Sequence, residues 1–215
     1  MDMNENPIKK VAIIGGSGKA GRFLVKQILE AGYQMRLLLR NPEKFTLSDE
    51  RIEVLKGDAR DFPSIKALLQ GCDAVLSTLG QPKGEAPIIS MVTGHVLTAM
   101  RELGIRRYIL TRGASVDAPG DHKDFYTKLP TKLIQWTFPA YWADWQKELA
   151  LLMKSEVEWT LVRLPIIVEE SVSGDAKVNL ERLPGKKING KDLANFLVIQ
   201  LTDKQYLRKA PFIAN

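Results

Sequence analysis

The sequence predicts a doubly wound α/β fold in which helices cover both faces of a parallel sheet. Short apolar runs recur along the chain, and segments with apolar residues three to four positions apart separate them. Strands that are apolar throughout are typical of a parallel sheet that is buried on both faces. A chain of 215 residues can form one such domain around a full core.

The apolar runs predict six strands and a further C-terminal edge strand. In chain order these are residues 11–14, 35–39, 52–55, 74–77, 108–111, 159–162 and 209–213. Each run is short and bounded by glycine or polar residues, as expected for buried strands. Residues 112–120 are predicted to form a loop.

The helical periodicity predicts six helices between and after these strands. They cover residues 18–31, 63–70, 87–103, 125–135, 141–154 and 192–201. Gly32 is placed to end the first helix, and Pro63 and Gly71 mark the two ends of the second. Because few residues follow the fifth strand once its helices are counted, we expect a single domain over residues 1–215 with a small C-terminal substrate-side region.

Composition and charge exclude several function classes. The net charge of +6 is spread along the chain, so it indicates a solvated surface and no nucleic-acid partner. Cys72 is the single cysteine, which excludes an internal disulfide, and with His95 and His122 it supplies too few ligands for a structural zinc site. We therefore expect no metal, a small buried Cys72 and a structural His95 within its helix.

The apolar runs also bear on location. The first six residues are polar and lack the apolar run of a signal peptide, and the uncharged stretch 86–100 is too short to span a membrane. These features predict a cytoplasmic protein with no membrane partner.

The first strand runs directly into a glycine-rich loop with the chemistry of a dinucleotide site. Gly15 permits a tight turn, Gly18 lets the backbone approach a pyrophosphate, and Gly21 lets the helix pack on the strand. The intervening residues of the loop are Ser17, Lys19 and Ala20. The helix that follows offers unpaired N–H groups to an anion, so this segment predicts dinucleotide binding.

Two competing motifs do not fit this loop. A P-loop requires glycine where Ile13 stands and a hydroxyl residue where Ala20 stands. A hydrolase nucleophile centred on Ser17 requires glycine where Lys19 stands. Phosphoryl-transfer and serine-hydrolase chemistry are thereby disfavoured.

The end of the second strand favours NADP(H) over NAD(H). An NAD site usually places an acid there, whereas this strand ends at Arg40 with no acid before Glu43. Arg40 is suited to pair with a 2′-phosphate, with Lys19 or Lys44 assisting. The alternative is that Arg40 is simply a surface residue at a strand end.

These motifs resemble the atypical short-chain dehydrogenase/reductases, specifically the NAD(P)H-binding subgroup that includes biliverdin-IXβ (flavin) reductase-like and NmrA-like proteins. The resemblance covers nearly the whole chain and implies a Rossmann-type NAD(P)-binding fold. Besides the glycine loop, it rests on the segments GDARD at 57–61, STLG at 77–80, VEWTLVRLP at 157–165 and APFIAN at 210–215.

The resemblance implies roles for residues at the ends of four strands. The expected adenine contacts are Asp58 and Ala59, and the expected ribose and pyrophosphate contacts are Thr78, Leu79 and Gly80. The expected contacts at the nicotinamide end are Thr111, Arg112, Leu164 and Pro165. Asp58 is alternatively a turn-capping residue. Arg112 is alternatively a solvent-facing loop cation.

The sequence departs from the catalytic pattern of classical relatives. Those enzymes use Tyr-x-x-x-Lys, and no tyrosine here has lysine four positions later. A flat acceptor such as a flavin, quinone or tetrapyrrole needs no strong protein acid, so an NADPH-dependent reductase of such an acceptor is the first hypothesis. The second is a non-catalytic NmrA-like NADP(H) sensor with a protein partner. A sugar-nucleotide epimerase is disfavoured because it needs the missing tyrosine.

Residues 125–145 hold seven of the sixteen aromatic side chains. One interpretation is an aromatic wall for a flat, small-molecule substrate. The other is packing under the sheet or a contact between subunits. The sequence leaves the catalytic residues and the choice between monomer and dimer open.

Overall fold

The computed structural model describes residues 7–169 and 174–215. The polar N-terminal segment singled out above lies outside these ranges. Within them the strands are β1 (Lys10–Ile14), β2 (Gln34–Leu39), β3 (Ile52–Lys56), β4 (Ala74–Ser77), β5 (Arg107–Gly113), β6 (Glu158–Leu164), β7 (Ile166–Val168), β8 (Lys177–Asn179), β9 (Lys187–Asn189) and β10 (Phe212–Ala214). The α-helices are α1 (Lys19–Glu30), α2 (Phe62–Leu69), α3 (Ile89–Leu103), α4 (Phe125–Thr137), α5 (Pro139–Lys154) and α6 (Gly190–Ile199).

Eight of these strands form one sheet in the order β3-β2-β1-β4-β5-β6-β10-β8. All neighbours pair in parallel except β8, which runs antiparallel to β10 at the edge. The chain winds outward from β1 in both directions, so β1 and β4 flank the point where the strand order reverses. Ligands of such sheets bind in the crevice at the carboxyl ends of the strands beside this point.

The core lies on both faces of the sheet, as the doubly wound prediction requires. Successive residues of β1 alternate between the two sides. Ala12 and Ile14 pack with α2, α3 and α5 on one face. Val11 and Ile13 pack with α1 and α6 on the other. The predicted fold class is therefore confirmed.

Three predictions about the strands need correction. β5 continues through Arg112 to Gly113, so the loop begins later than expected. The C-terminal strand β10 lies between β6 and β8 and not at an edge. The strands β7, β8 and β9 were not predicted, because strands of three residues show no usable periodicity; β7 and β9 form a separate two-stranded parallel sheet.

Candidate functional site

The glycine loop after β1 is shaped by backbone contacts that side chains would prevent. Gly15 has a φ of +83°, and a Cβ at this position would lie 2.7 Å from the backbone nitrogen of Leu79. A Cβ on Gly21 would overlap the backbone of Gly15 and Gly16. The loop closes with a hydrogen bond of 3.0 Å from the Gly18 nitrogen to the Gly15 oxygen. The predicted tight turn and close helix packing are both present.

The amino end of α1 is left open for an anion. Gly18 is its N-cap and has no side chain to cap the helix, and the first turn contains no acidic residue. Free N–H groups and the positive end of the helix dipole therefore face the loop region. Lys19 is exposed at the first helical position, while Ala20 and Gly21 are buried against the sheet.

A cavity of about 490 Å³ opens at the carboxyl ends of β1, β2, β3 and β4. We call it the glycine-loop cavity. The predicted cofactor residues in its wall are Gly15, Ser17, Gly18, Arg40, Asp58, Ala59, Thr78, Leu79 and Gly80. The structure thus brings together residues from four strand ends that are far apart in sequence.

The remaining predicted cofactor residues lie outside this wall. They are Lys19, Ala20, Gly21, Thr111, Arg112, Leu164 and Pro165. Thr111 is buried near the carboxyl end of β5. Leu164 ends β6, where its oxygen accepts a hydrogen bond of 3.0 Å from the Ala114 nitrogen. These strand ends share the sheet edge that carries the glycine loop, and their contact with a nicotinamide stays a prediction.

Arg112 is neither a solvent-facing cation nor free to bind an anionic substrate. Its guanidinium is buried and paired with Glu148 of α5 through both Nε and Nη2. Its Nη1 donates to the carbonyl oxygens of Leu79, at 2.6 Å, and Thr111, at 2.7 Å. Arg112 therefore supports the wall of the cavity from behind. The solvent-facing alternative is therefore wrong, and the sequence gives no sign of the pairing because Glu148 is far along the chain. The predicted contact of Arg112 with the nicotinamide stays a prediction.

Arg40 lies exposed on the rim of the cavity, together with Lys44. The structure adds two rim residues that the sequence analysis missed, Arg60 and Glu85. Glu85 lies 3.0 Å from Arg60 and 3.7 Å from Arg40. Two guanidinium groups thus converge on the region where a 2′-phosphate was predicted.

Asp58 has the turn-capping contacts of its alternative interpretation. One carboxylate oxygen accepts a hydrogen bond of 2.9 Å from the Arg60 nitrogen and another of 3.0 Å from its Nε. The hydrogen bond from the Arg60 side chain lowers the pKa of Asp58, so the carboxylate is ionised at neutral pH. Asp58 also lines the cavity. Its contact with the adenine stays a prediction.

The loop between β4 and α3 is held by Gln81. Its Nε2 donates to the carbonyl oxygens of Pro82, Glu85 and Ala86. The hydroxyl of Tyr141 on α5 donates to the Glu85 oxygen at 2.9 Å. These contacts position the Glu85 side chain on the cavity rim. A conventional motif search has no signal for them.

Comparison with known proteins agrees with this geometry. A model of a family described as NAD(P)H-binding matches residues 15–204, which is most of the chain. The chain belongs to this NAD(P)H-binding family. The resemblance to atypical short-chain dehydrogenase/reductases is thereby confirmed.

Curated relatives are similar to parts of this chain. Cinnamoyl-CoA reductase 1 of Petunia hybrida is 29% identical over 113 residues, which cover 47% of this chain and 34% of the plant protein. The photosystem II assembly factor Ycf39 of Trieres chinensis is 43% identical over 67 residues, or 31% and 21% of the two chains. The chain spans about a third of the length of the curated plant reductases it matches.

A solved structure shows the same fold. The short-chain dehydrogenase/reductase of Veillonella parvula in complex with NADP has a TM-score of 0.80 at 15% identity, covering 97% of this chain and 95% of that one. At this identity the likeness is one of fold.

Among the residues that the structure describes, no tyrosine lines the glycine-loop cavity of this family member. Tyr108, the one tyrosine with a cation four positions later, is fully buried in β5, and burial raises its pKa to about 12. A phenol in that environment does not exchange protons with a ligand. Tyr108 therefore supplies no proton donor.

In the aromatic segment 125–145, Trp145 packs against the core on one face of the sheet, but most of the other aromatic side chains do not. Phe125, Tyr126, Trp136 and Phe138 are mostly exposed, and Trp142 and Trp145 are half-buried. The core-packing interpretation is wrong for the exposed members, and the remaining ones line no part of the glycine-loop cavity.

The other singled-out residues take structural positions. Cys72 is buried and unpaired, and His95 is half-buried in α3, as predicted. Residues 7–169 and 174–215 contain no cluster of side chains suited to hold a metal ion. No helix in these ranges is both long and apolar enough to cross a bilayer.

Proposed function

We propose that this protein is an NADPH-dependent oxidoreductase that passes hydride to a flat acceptor such as a flavin, quinone or tetrapyrrole. The observation that carries the proposal is the glycine-loop cavity with Arg40 on its rim. The similarity to reductases and to a structure that contains NADP supports the same reading.

The residues present fit a dinucleotide. Gly15 and Gly21 leave a cradle that side chains would fill, and the uncapped amino end of α1 offers N–H groups to a pyrophosphate. Arg40 would pair with a 2′-phosphate, with Arg60, which already pairs with Asp58 and Glu85, beside it, and Ala59 would contact the adenine. NADPH, when bound, would supply the hydride.

The chain itself would contribute orientation of the cofactor more than proton transfer. Arg112 fixes the backbone of Leu79, which forms part of the cavity wall. The sequence has no Tyr-x-x-x-Lys pair, which favours acceptors whose reduced form takes its proton from water. A carbonyl substrate would need the missing phenol.

The direct test is a fluorescence titration of NADPH into the protein, followed by saturating flavin, quinone or tetrapyrrole. We expect saturable binding and then loss of the NADPH signal with at least one acceptor. Failure to bind NADPH would overturn the whole proposal. Bound NADPH that survives every acceptor would overturn the reductase activity alone.

The missing phenol also favours a second candidate, a non-catalytic sensor of the NADP(H) redox state. The partial similarity to an assembly factor supports a role with a protein partner. A sensor must bind its partner with different affinities when loaded with NADP⁺ or NADPH. Equal affinities, measured by isothermal titration with each nucleotide saturating, would exclude it.

A further inference from the structure

Helix α4 presents its apolar side chains to solvent. Five of them are between 56% and 82% exposed, and we call them the α4 stripe: Phe125, Tyr126, Leu129, Leu133 and Trp136. Four of the five recur every three or four residues, so they lie along one side of the helix. Trp136 is the most exposed of them at 82%.

Two threonines of α4 face the protein instead. Thr127 and Thr131 are 6% and 4% exposed, and the Thr131 hydroxyl donates to the Thr127 oxygen at 2.8 Å. A surface helix normally buries its apolar side, so α4 has the reverse arrangement. Contiguous exposed apolar surface of this kind is typical of a docking site.

The charged residues of α4 itself are all cationic. Lys128 and Lys132 are the only charged residues between positions 125 and 143, and both are exposed. The Nζ atom of Lys186 lies 5.1 Å from the centre of the Tyr126 ring. The nearest acid in sequence, Asp124, accepts a hydrogen bond from the Thr127 nitrogen at the start of the helix. The surface therefore combines aromatic and leucine side chains with lysines.

The geometry points to an anionic lipid bilayer surface as the occupant of the α4 stripe. Trp, Phe and Leu on one side with lysines beside them are characteristic of helices that lie in the interface between headgroups and acyl chains. The lysines would contact anionic headgroups while the stripe enters the acyl boundary. The helix would lie on the membrane without crossing it.

A second copy of the chain is a poorer complement to this surface. In a two-fold dimer the helix meets the same helix. Its lysines would then meet no carboxylate from the partner's stripe, because the segment from 125 to 143 contains none. The sequence-based expectation of no membrane partner rested on the lengths of apolar runs, which carry no information about the side of a helix that faces outward.

The test is co-sedimentation of the whole protein with vesicles, together with tryptophan fluorescence. The vesicles are phosphatidylcholine alone and phosphatidylcholine with about 30% phosphatidylglycerol. We expect binding to the anionic vesicles, a blue shift of the emission as Trp136 leaves water, and release at high salt.

Three variants make the test specific. Leu133→Ser/Trp136→Ser should abolish binding while leaving the circular dichroism spectrum unchanged, because both side chains are exposed. Lys128→Gln/Lys132→Gln should weaken binding to anionic vesicles by roughly fivefold per lysine. Val54→Ser, which removes an exposed apolar side chain from strand β3, is the matched control and should bind as the parent protein does.

Three outcomes would overturn the proposal. One is the absence of binding to anionic vesicles. Another is equal loss of binding in the Val54→Ser control. The third is a dimer in sedimentation equilibrium that Leu133→Ser/Trp136→Ser dissociates, with no vesicle binding, which would assign the stripe to a second copy. None of these depends on NADPH binding or turnover.

Discussion

The carboxylate of Glu85 lies 3.0 Å from the guanidinium of Arg60 on the rim of the glycine-loop cavity. Arg40 approaches the same carboxylate at 3.7 Å. Glu85 thus supplies the negative charge between two cations at the place where a 2′-phosphate is expected. A bound 2′-phosphate would have to displace this carboxylate or share its partners.

Replacing Glu85 with glutamine should therefore tighten NADPH binding. The ion pairs of Glu85 with Arg60 and Arg40 are partly exposed, so each is weak. We therefore expect the affinity for NADPH to rise about two- to fivefold. NADH, which lacks the 2′-phosphate, should be unaffected. Fluorescence titration with each nucleotide measures the ratio of the affinities for NADPH and NADH. The control is Glu30→Gln, which removes a charge at the far end of α1. An unchanged ratio would show that Glu85 does not compete for the phosphate.

Arg40→Glu should weaken NADPH binding far more than NADH binding. A hydrogen bond between charged groups contributes ~1.5–3 kcal/mol, so the loss for NADPH should be about 10- to 100-fold. Arg101→Glu, an exposed arginine in the last turn of α3, controls for the change in net charge. Equal losses for the two nucleotides would refute the role of Arg40 at the 2′-phosphate.

Gly15→Ala should remove dinucleotide binding beyond its cost in stability. Two effects combine at this position, a φ of +83° and a Cβ 2.7 Å from the Leu79 nitrogen. Gly32→Ala separates them, since Gly32 has a φ of +84° but no atom within 4 Å of the added Cβ. Both variants should lose ~1–2 kcal/mol of unfolding free energy from the backbone conformation.

Urea denaturation and NADPH titration distinguish the two glycine variants. We expect Gly15→Ala to bind NADPH at least about tenfold more weakly, because the loop must move away from Leu79. Gly32→Ala should bind as the parent protein does. Similar affinities in both variants would mean that the loop tolerates a side chain at position 15.

The sequence predicts those parts of the site that depend on local pattern. The glycine loop and Arg40 each follow a strand that an apolar run identifies, and the position of a residue after a parallel strand fixes the sheet edge on which it lies. The boundaries of the long helices follow from periodicity in the same way.

Features that depend on contacts between distant segments are not predictable in this way. Arg60 meets Glu85, and Arg112 meets Glu148, because the fold brings separate elements together. The outward orientation of the α4 stripe is likewise not predictable from local pattern. Its spacing reveals that Phe125, Leu129 and Leu133 share one side, but only packing determines that this side faces outward.

The buried pair of Arg112 and Glu148 should be strongly coupled. Glu148 is fully buried, and its Oε1 also accepts a hydrogen bond of 2.6 Å from Thr93. Glu148→Leu would leave the guanidinium of Arg112 buried without its carboxylate, at a cost of about 3–5 kcal/mol of unfolding free energy. The double variant Arg112→Met/Glu148→Leu should recover most of this loss.

NADPH binding distinguishes the contribution of this pair to stability from its contribution to positioning the cavity wall. The double variant lacks the hydrogen bonds from Arg112 to the oxygens of Leu79 and Thr111. We therefore expect weaker NADPH binding even where urea denaturation shows recovered stability. Full recovery of both quantities would mean that Arg112 contributes only to stability.

Cys72 should resist alkylation in the native protein. Burial raises the pKa of its thiol to about 11 from an ordinary value of 9.0. At pH 8 the reactive thiolate is therefore about 100-fold scarcer than in the unfolded chain, and labelling by iodoacetamide should slow by at least that factor. Because the native pKa is raised, the stability that goes with the neutral thiol is complete below pH ~9 and declines as the pH rises toward 11.

Mass spectrometry of native and urea-unfolded samples measures the two rates of labelling at Cys72, and Cys72→Ser gives the background. Equal rates in the two samples would contradict the burial of this thiol.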